Sequence, residues 1–336
     1  MIRLGVILAK AHQRMRFFYN KLGGLNMDNY KHYSVLLNES IDMLNINPNG
    51  IYVDCTLGGG GHSLEIVKKL TSGHLYAFDQ DKYAISKAKA RLEGFEDKYT
   101  IINTNFSNIK SALLELGLEH VDGIIYDLGV SSFQFDIPER GFSYRFDGPL
   151  DMRMDQDANL SAYDVINFYS ENDLKKILYE YGEEKFAPSI ARGIVKARQV
   201  KKIDTTFELV EVIKKSLPAA VLRKAGHPAK QTFQALRIEV NGELDVLKNS
   251  LEDAINLLAP SGRVVVITFQ SLEDRIVKQM FKKYTTLDIP KGLPYIPDYM
   301  KLEYKLVNSK VILPSEEELL ENNRSHSAKM RGIEKL

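Results

Sequence analysis

Short apolar segments alternate with helix-like segments from Ile51 onward, and this alternation constrains the fold more than any other feature of the chain. Apolar runs separated by amphipathic stretches are typical of strand–helix–strand units, whose parallel strands are buried on both faces. The predicted strands are Ile51–Cys55, Leu75–Asp79, Tyr99–Asn103, Val121–Leu128 and Arg263–Phe269, with a weaker final strand in Glu303–Leu313. The predicted helices among them are His62–Leu70, Lys82–Glu93, Ser107–Leu116, Asn241–Leu258 and Leu272–Tyr284. The sequence therefore predicts an α/β protein built on one doubly wound, Rossmann-like sheet.

The alternation stops between about Pro138 and Gly226, where no strand-grade apolar run occurs. Helical periodicity replaces it, and the predicted helices are Ala162–Tyr169, Glu171–Tyr181, Lys185–Arg198 and Thr206–Ser216. We therefore predict a mainly helical insertion, residues 138–240, that separates two parts of the sheet domain, residues 27–137 and 241–336.

Residues 1–26 form a separate, basic extension that contains no acidic side chain. Such a segment is either a targeting peptide, a membrane-surface helix or the product of a mis-assigned start, with Met27 opening the domain. No run of the chain approaches the ~18 apolar residues that cross a bilayer, so no membrane partner is expected. Cys55 is the only cysteine, which excludes an internal disulfide and a cysteine-based zinc cluster and fits the cytoplasm.

A glycine-rich turn follows the first predicted strand and ends at Gly60, Gly61 and His62. Glycine lets the backbone approach a ligand closely, and the amides at a helix start favour an electron-rich group. Asp79 ends the second strand, where an acid binds the ribose hydroxyls of an adenosine cofactor, and Asp81 is the alternative. The turn and the acid together predict a cofactor site, in which His62 is either a ligand contact or a helix cap.

The second half of the sheet decides between cofactors. A dinucleotide requires a second glycine fingerprint there, which would make the chain a nicotinamide-dependent oxidoreductase. Ala259–Thr268 instead has a proline-glycine turn into an apolar strand, which looks like the fifth strand of the class I methyltransferases. S-adenosylmethionine is therefore the predicted cofactor, and no metal is required.

A polar, glycine-rich passage from Asp127 to Asp155 is too long for a hairpin and predicts a functional loop. It contains DLGVSS and ERGFSYRFDGPLDMRMD, and the chain also carries VDCTLGGGGHS, YGEEKFAPSIAR, GHPAKQTFQALRIEVNGEL, FQSLEDRIVK and NNRSHSAKMR. With these motifs the chain, from about His32 to Arg331, resembles the RsmH (MraW) family of bacterial 16S ribosomal RNA cytosine-N4 methyltransferases. The resemblance implies a class I S-adenosylmethionine-dependent methyltransferase fold with an inserted helical domain, and the small ribosomal subunit as partner. A homodimer is left open.

The resemblance also implies site residues. The implied cofactor contacts are Gly60, Gly61, His62, Asp79, Phe106, Asp127 and Gln134. Asp127 and the backbone carbonyl of Leu128 are the expected acceptors for the hydrogens of the target amine, which makes Asp127 the expected catalytic residue. The expected RNA contacts are Arg145, Arg153, Arg237, Asn241 and Arg275. For Arg153, an ion pair with Asp151 that braces the loop is the alternative.

Two basic runs of the insertion are further candidates for RNA contact, although such runs are usually solvated surfaces. They consist of Arg192, Lys196, Arg198, Lys201 and Lys202, and of Arg223, Lys224, His227 and Lys230. The basic tail Arg324–Arg331 is expected to contact phosphate or cofactor.

Gln270 departs from the family, whose members usually have histidine at this position. Glutamine forms hydrogen bonds but is not a base near neutral pH. This keeps open a noncatalytic RNA-binding or assembly factor, and a DNA amino-methyltransferase is the nearest alternative enzyme. Methylation at carbon 5 of cytosine is disfavoured, because it normally uses a thiolate and Cys55 lies in the first predicted strand.

Overall fold

In the computed structural model, which describes residues 34–287, 301–322 and 324–336, seven strands form one sheet. The strands are β1 (Ile51–Asp54), β2 (His74–Phe78), β3 (Tyr99–Ile102), β4 (Val121–Asp127), β5 (Leu258–Thr268), β6 (Tyr304–Leu306) and β7 (Lys329–Lys335). Their order is β3–β2–β1–β4–β5–β7–β6, in which β1 to β5 are parallel and β7 runs antiparallel to both neighbours. The predicted doubly wound sheet is confirmed.

The two faces of the sheet are covered by different helices. In the sheet domain these are α1 (Leu37–Leu44), α2 (Gly61–Lys69), α3 (Lys82–Arg91), α4 (Ile109–Glu115) and α5 (Ser132–Asp136). Side chains of β5 alternate between the faces: Val264 and Val266 join one apolar core, whereas Val265 and Ile267 join the other. Each of these side chains is completely buried, which stabilises the fold by about 1.5–3 kcal/mol per side chain. Burial on both faces explains why the strands are continuous apolar runs.

The insertion between β4 and β5 is helical, as its periodicity predicts. Its helices are α6 (Ala162–Phe168), α7 (Glu171–Glu180), α8 (Ala187–Val200), α9 (Thr206–Ser216), α10 (Ala219–Leu222) and α11 (Lys230–Asn241). These helices share a core of their own, to which Phe142 and Met152 of the preceding loop also contribute. The domain boundaries stay a prediction, because Ser34–Leu336 forms one unit and residues 1–33 lie outside the described residues.

The chain returns to the sheet through α12 (Glu243–Asn256), and α13 (Ser271–Thr285) and α14 (Glu316–Glu321) follow β5 and β6. Gly242 separates α11 from α12 with φ of 59°, so the predicted helix Asn241–Leu258 begins two residues late. It also ends early, because Leu258 already pairs with Val121 in β5, and Ser261 takes φ of 67° where a turn was predicted.

The C-terminal segment differs most from the prediction. Lys329–Lys335 is strand β7 rather than a basic tail, and the predicted strand Glu303–Leu313 is reduced to β6 and a single bridge at Ile312. β7 was missed because its charged residues alternate with short or small ones and so hide the apolar pattern. Lys329 and Arg331 pair with Asp274, at 3.4 and 2.8 Å, so their charges are engaged within the protein. No helix in the described part of the chain is long and apolar enough to cross a membrane.

Candidate active site

Polar side chains gather where four parallel strands end. β1 ends at Asp54 and β4 at Asp127, while Asp79 follows β2 and Gln270 lies just beyond β5. β1 and β4 are neighbours in the sheet, and the strand order reverses between them. This is the position at which doubly wound folds bind their ligands.

The glycine turn between β1 and α2 is shaped by backbone conformations that side chains disfavour. Gly58 and Gly60 have φ of 49° and 75°, in the left-handed region. Gly61 needs its small size for another reason, since a Cβ there would lie 1.8 Å from the Oγ of Ser34. α2 begins at Gly61 without a side-chain cap, so its first amides form an electropositive helix start at the pocket.

Asp79 is fastened to this turn. Its Oδ2 accepts the amide of Gly58 at 2.8 Å, and its Oδ1 accepts the amide of Asp81 at 2.8 Å. Burial raises the pKa of Asp79 to about 6, against the lowering effect of the two amides. Each oxygen keeps a second lone pair, so the carboxyl can still accept hydroxyl groups from a ligand.

Asp81 has a different task. It caps α3 through the amide of Tyr83 and is 3% exposed. Its Oδ2 accepts the guanidinium of Arg140 at 2.7 Å and the amide Nε2 of Gln134 at 3.1 Å. Gln134 also accepts the backbone amide of Ser131, so both ends of its side chain bind within the protein.

Asp127 ends β4, and its backbone amide donates to Oγ1 of Thr56 at 2.6 Å. Only a quarter of its side chain is exposed. Oδ1 is buried and has no hydrogen-bond partner among the described residues. Burial, and then Asp54, Glu273 and Glu318, raise the pKa of Asp127 to about 8. A buried carboxyl with one unused oxygen is therefore aimed into the candidate site.

His62 lies beside this carboxyl. Its Nδ1 is 3.6 Å from Oδ2 of Asp127, and its Nε2 is 3.2 Å from the carbonyl oxygen of Val35. The ring is almost completely buried, which lowers the pKa of His62 to about 4. The imidazole is therefore neutral near pH 7, and this contact is not an ion pair.

Phe106 opens the turn after β3, where its ring packs edge-on against Tyr126 with centroids 5.5 Å apart. The ring is only partly buried, so part of its surface is accessible beside the β2 end of the sheet. This is compatible with the predicted adenine contact, which stays a prediction.

Gln270 is held by the helix that follows it. Its Nε2 donates to Oε1 of Glu273 at 2.7 Å, and its backbone amide donates to Oε2 at 3.2 Å. The oxygen Oε1 of Gln270 is buried without a partner in the described residues. Because β5 is the neighbour of β4, a second unused acceptor lies at the strand end beside that of Asp127.

Three of the five predicted RNA contacts are engaged inside the protein. Arg153 forms two hydrogen bonds with the carboxylate of Asp151, at 2.9 and 2.7 Å, so the alternative ion pair exists. Arg237 forms two with Glu243, at 2.7 and 2.8 Å. Asn241 accepts the amide of Met154 and donates to the carbonyl of Met152. These three side chains hold the loop before the insertion in place.

The other two predicted contacts are exposed. Arg275 lies 3.3 Å from Glu183 at the surface. The guanidinium of Arg145 has no ion-pair partner among the described residues, and it lies next to Tyr144, whose ring stacks on His227 with centroids 4.2 Å apart. The electropositive surroundings of His227 include Arg145 and Lys214, which, after burial, lower its pKa.

The two basic runs behave differently. In the first, Arg198 donates to the carbonyls of Ile166 and Tyr169, and Lys201 pairs with Glu208 at 2.5 Å. In the second, Arg223, Lys224 and Lys230 are exposed, and no ion-pair partner of theirs lies in the described residues. The second run is therefore the one that leaves its charge available.

Sequence reasoning missed several residues of the site. Arg140, Thr56 and Val35 bind Asp81, Asp127 and His62 from distant positions in the chain, which no local pattern signals. Arg140 lies inside the ERGFSYRFDGPLDMRMD motif, and its burial would have required knowledge of the fold. Among the described residues, no group of three or more His, Cys, Asp or Glu side chains is arranged to hold a metal ion.

Comparison with known proteins gives a consistent result. The model of the MraW methylase family matches residues 29–336. A protein of Streptococcus dysgalactiae subsp. equisimilis named ribosomal RNA small subunit methyltransferase H is 57% identical over 310 residues, covering 91% of this chain and 98% of its own. Its namesake in Lactobacillus delbrueckii subsp. bulgaricus is 56% identical over 312 residues, covering 91% and 99%. Among solved structures, an rRNA methylase from Streptococcus thermophilus aligns with a TM-score of 0.41 at 11% identity, covering 91% of this chain and 98% of its own.

Proposed function

The chain belongs to the MraW methylase family, and we propose that it transfers a methyl group from S-adenosylmethionine to the N4 amine of a cytosine in 16S ribosomal RNA. The names of relatives that are 56–57% identical support methylation of small-subunit ribosomal RNA. Cytosine and its N4 position are the finer part of the proposal and rest on the motif series. The observation that carries the chemistry is the buried, unused Oδ1 of Asp127 at the switch point of the sheet.

The pocket fits S-adenosylmethionine. The bare glycine turn admits a ligand close to the backbone, the carboxyl of Asp79 has lone pairs for ribose hydroxyls, and Phe106 offers a ring surface to adenine. We assign the cofactor to Gly60, Gly61, His62, Asp79, Phe106, Asp127 and Gln134. Gln134 supports the pocket by fixing Asp81. When bound, the cofactor supplies an electrophilic methyl group on a sulfonium.

The amine of cytosine is a poor nucleophile because its lone pair is delocalised into the ring. Acceptors that draw the amine hydrogens restore lone-pair character, provided that the nitrogen is held about 3–3.5 Å from the carbon it attacks. Oδ1 of Asp127 is such an acceptor, and its burial strengthens the hydrogen bond by excluding water. Asp127 is thus the proposed catalytic residue.

Gln270 supplies a second acceptor in the proposed reaction. Glu273 binds the amide nitrogen of Gln270, which fixes the side chain so that Oε1 is left for the substrate. This role needs a hydrogen-bond acceptor and no base, so glutamine is compatible with catalysis. The same feature removes the main reason for considering a noncatalytic RNA-binding factor.

RNA is gripped, we propose, by the exposed positive charges near the Tyr144–His227 stack. Arg145, Arg223 and Lys224 would bind phosphates, and Arg275 contacts RNA from the sheet domain, while flat aromatic surfaces suit unstacked bases. Arg153, Arg237 and Asn241 shape the loop that receives the base. The proposed partner is the small ribosomal subunit in the cytoplasm, and a homodimer stays a prediction for a measurement of mass in solution.

Methyl transfer from labelled cofactor to small ribosomal subunits that lack the modification tests this function. We expect label in 16S rRNA with the wild-type protein and a loss of about 10²- to 10⁴-fold in turnover with Asp127→Asn, which keeps the size of the side chain. Cofactor binding and thermal unfolding of the variant serve as controls. Label in DNA rather than rRNA, or full activity of Asp127→Asn, would contradict the proposal.

A further inference from the structure

Asp127, His62 and the carbonyl of Val35 form a line of polar atoms inside the pocket. The carbonyl oxygen accepts hydrogen bonds only, so Nε2 of His62, 3.2 Å away, must carry its hydrogen. The neutral ring then has a bare lone pair on Nδ1, and this lone pair faces Oδ2 of Asp127 at 3.6 Å. Two bare acceptors in a buried site repel each other, whereas a proton between them makes the contact favourable.

We propose that Asp127 and His62 share one proton in the cofactor-free protein, and that binding of the sulfonium cofactor expels this proton to solvent. The proposal rests on the proposed function, because that function places the methylating cofactor beside Asp127. It assigns His62 as a positioning residue, whose Nδ1 accepts the proton that Asp127 carries on Oδ2. The pocket thereby distinguishes a cationic cofactor from its neutral thioether product.

The surroundings of Asp127 favour the protonated carboxyl. Asp54 at the end of β1, Glu273 on α13 and Glu318 on α14 all raise its pKa, in addition to burial. The neutral His62 adds no positive charge to offset them. A bound cation supplies the missing charge, so it lowers the pKa of Asp127 and leaves a carboxylate ready for the amine of the base.

The same device closes the reaction. As the bond from nitrogen to the methyl carbon forms, the bond from sulfur to that carbon breaks and its electron pair stays on sulfur. The positive charge then resides on the amine, which gives its proton to Asp127. With the sulfonium charge gone, Asp127 again keeps a proton against His62, and the neutral product is held less tightly than the cationic cofactor above the pKa of the free carboxyl.

Calorimetry in buffers of different ionisation enthalpy counts the protons released when a ligand binds. At pH 7, we expect S-adenosylmethionine to release about one proton per site and S-adenosylhomocysteine clearly less. Affinity for S-adenosylmethionine should fall up to tenfold per unit as pH drops below about 8, while affinity for S-adenosylhomocysteine changes little. Asp127→Asn should bind both ligands and abolish the difference in proton release.

Two variants of His62 test its part. Asn at position 62 keeps an acceptor near the position of Nδ1, whereas Gln keeps a distal amide for the carbonyl of Val35 but has no acceptor at Nδ1. We expect His62→Gln to shift the pH midpoint of cofactor affinity downward and His62→Asn to restore it towards wild type. Equal midpoints in all three proteins would overturn the role of His62.

Equal proton release with both cofactors would overturn the shared-proton proposal while leaving the methyltransferase function intact. Failure of the folded protein to bind either cofactor would overturn both. Methyl transfer to another substrate, with the expected proton release, would overturn only the proposed function.

Discussion

Asp81 and Arg140 form an ion pair of 2.7 Å in which the side chains are only 3% and 5% exposed. Arg140 also donates from Nη2 to the backbone carbonyls of Arg153 and Met154. Asp81 in turn donates its backbone amide to Asp79. The acid assigned to the cofactor and the loop that precedes the helical insertion are therefore joined by one buried pair.

Loss of one partner of this pair should be costly, because it leaves the other charge buried and uncompensated. We expect Arg140→Met to lower the free energy of unfolding by about 3–5 kcal/mol, measured by urea denaturation. Lys82→Met is the matched control, since Lys82 forms a 2.8 Å pair with Asp157 that is about three-quarters exposed on both sides. Similar stabilities of the two variants would show that the buried pair does not brace the loop.

Gly61 and Ser34 allow a test of the glycine turn by paired substitution. A Cβ at Gly61 would overlap Oγ of Ser34, so Gly61→Ala should push the backbone aside, at a cost of about 1–3 kcal/mol, and weaken cofactor binding. Ser34→Gly removes the clashing group, so the double variant should recover much of the affinity measured by calorimetry. Normal affinity in the Gly61→Ala variant would mean that the close approach of Ser34 does not shape the pocket.

Gln270 should act through its acceptor oxygen. Gln270→Leu removes the unused Oε1, and we expect turnover to fall while the KM for cofactor stays unchanged, because the cofactor residues are untouched. Gln270→His, with the residue usual in the family, should retain activity because a neutral imidazole nitrogen also accepts a hydrogen bond. Steady-state kinetics on small subunits measures both. Full activity of the leucine variant would exclude Gln270 from the reaction.

The exposed charges of the insertion should determine RNA affinity. Replacing Arg145, Arg223 and Lys224 with alanine should weaken rRNA binding and reduce the slope of log affinity against log salt by about 0.7 for each phosphate that is no longer neutralised. A control protein with the same charge change replaces Lys68, Lys110 and Lys283, which are exposed on α2, α4 and α13. Filter binding over a salt series compares the two, and equal slopes would argue against this surface.

The fold was predictable because strand and helix periodicity are local properties. Asp79 and Asp127 could be found for the same reason, since each follows a buried strand whose apolar run is visible in the sequence. β7 was missed because its strand character comes from pairing with β5, which long-range topology alone provides.

The contacts inside the site were less predictable. Arg153, Arg237 and Asn241 look like RNA contacts as isolated polar residues, and only the folded loop reveals their partners. The relation between Asp127 and His62 likewise depends on Val35, which fixes the tautomer of the imidazole from outside the glycine motif.

The identity of the methylated nucleoside tests the central claim most directly. Small subunits lacking the modification would be incubated with the protein and labelled S-adenosylmethionine, and the rRNA digested and analysed by mass spectrometry. We predict N4-methylated cytidine, formed by the wild-type protein and not by Asp127→Asn. A methyl group on carbon 5 of cytosine, on another base or on ribose would contradict the proposed function.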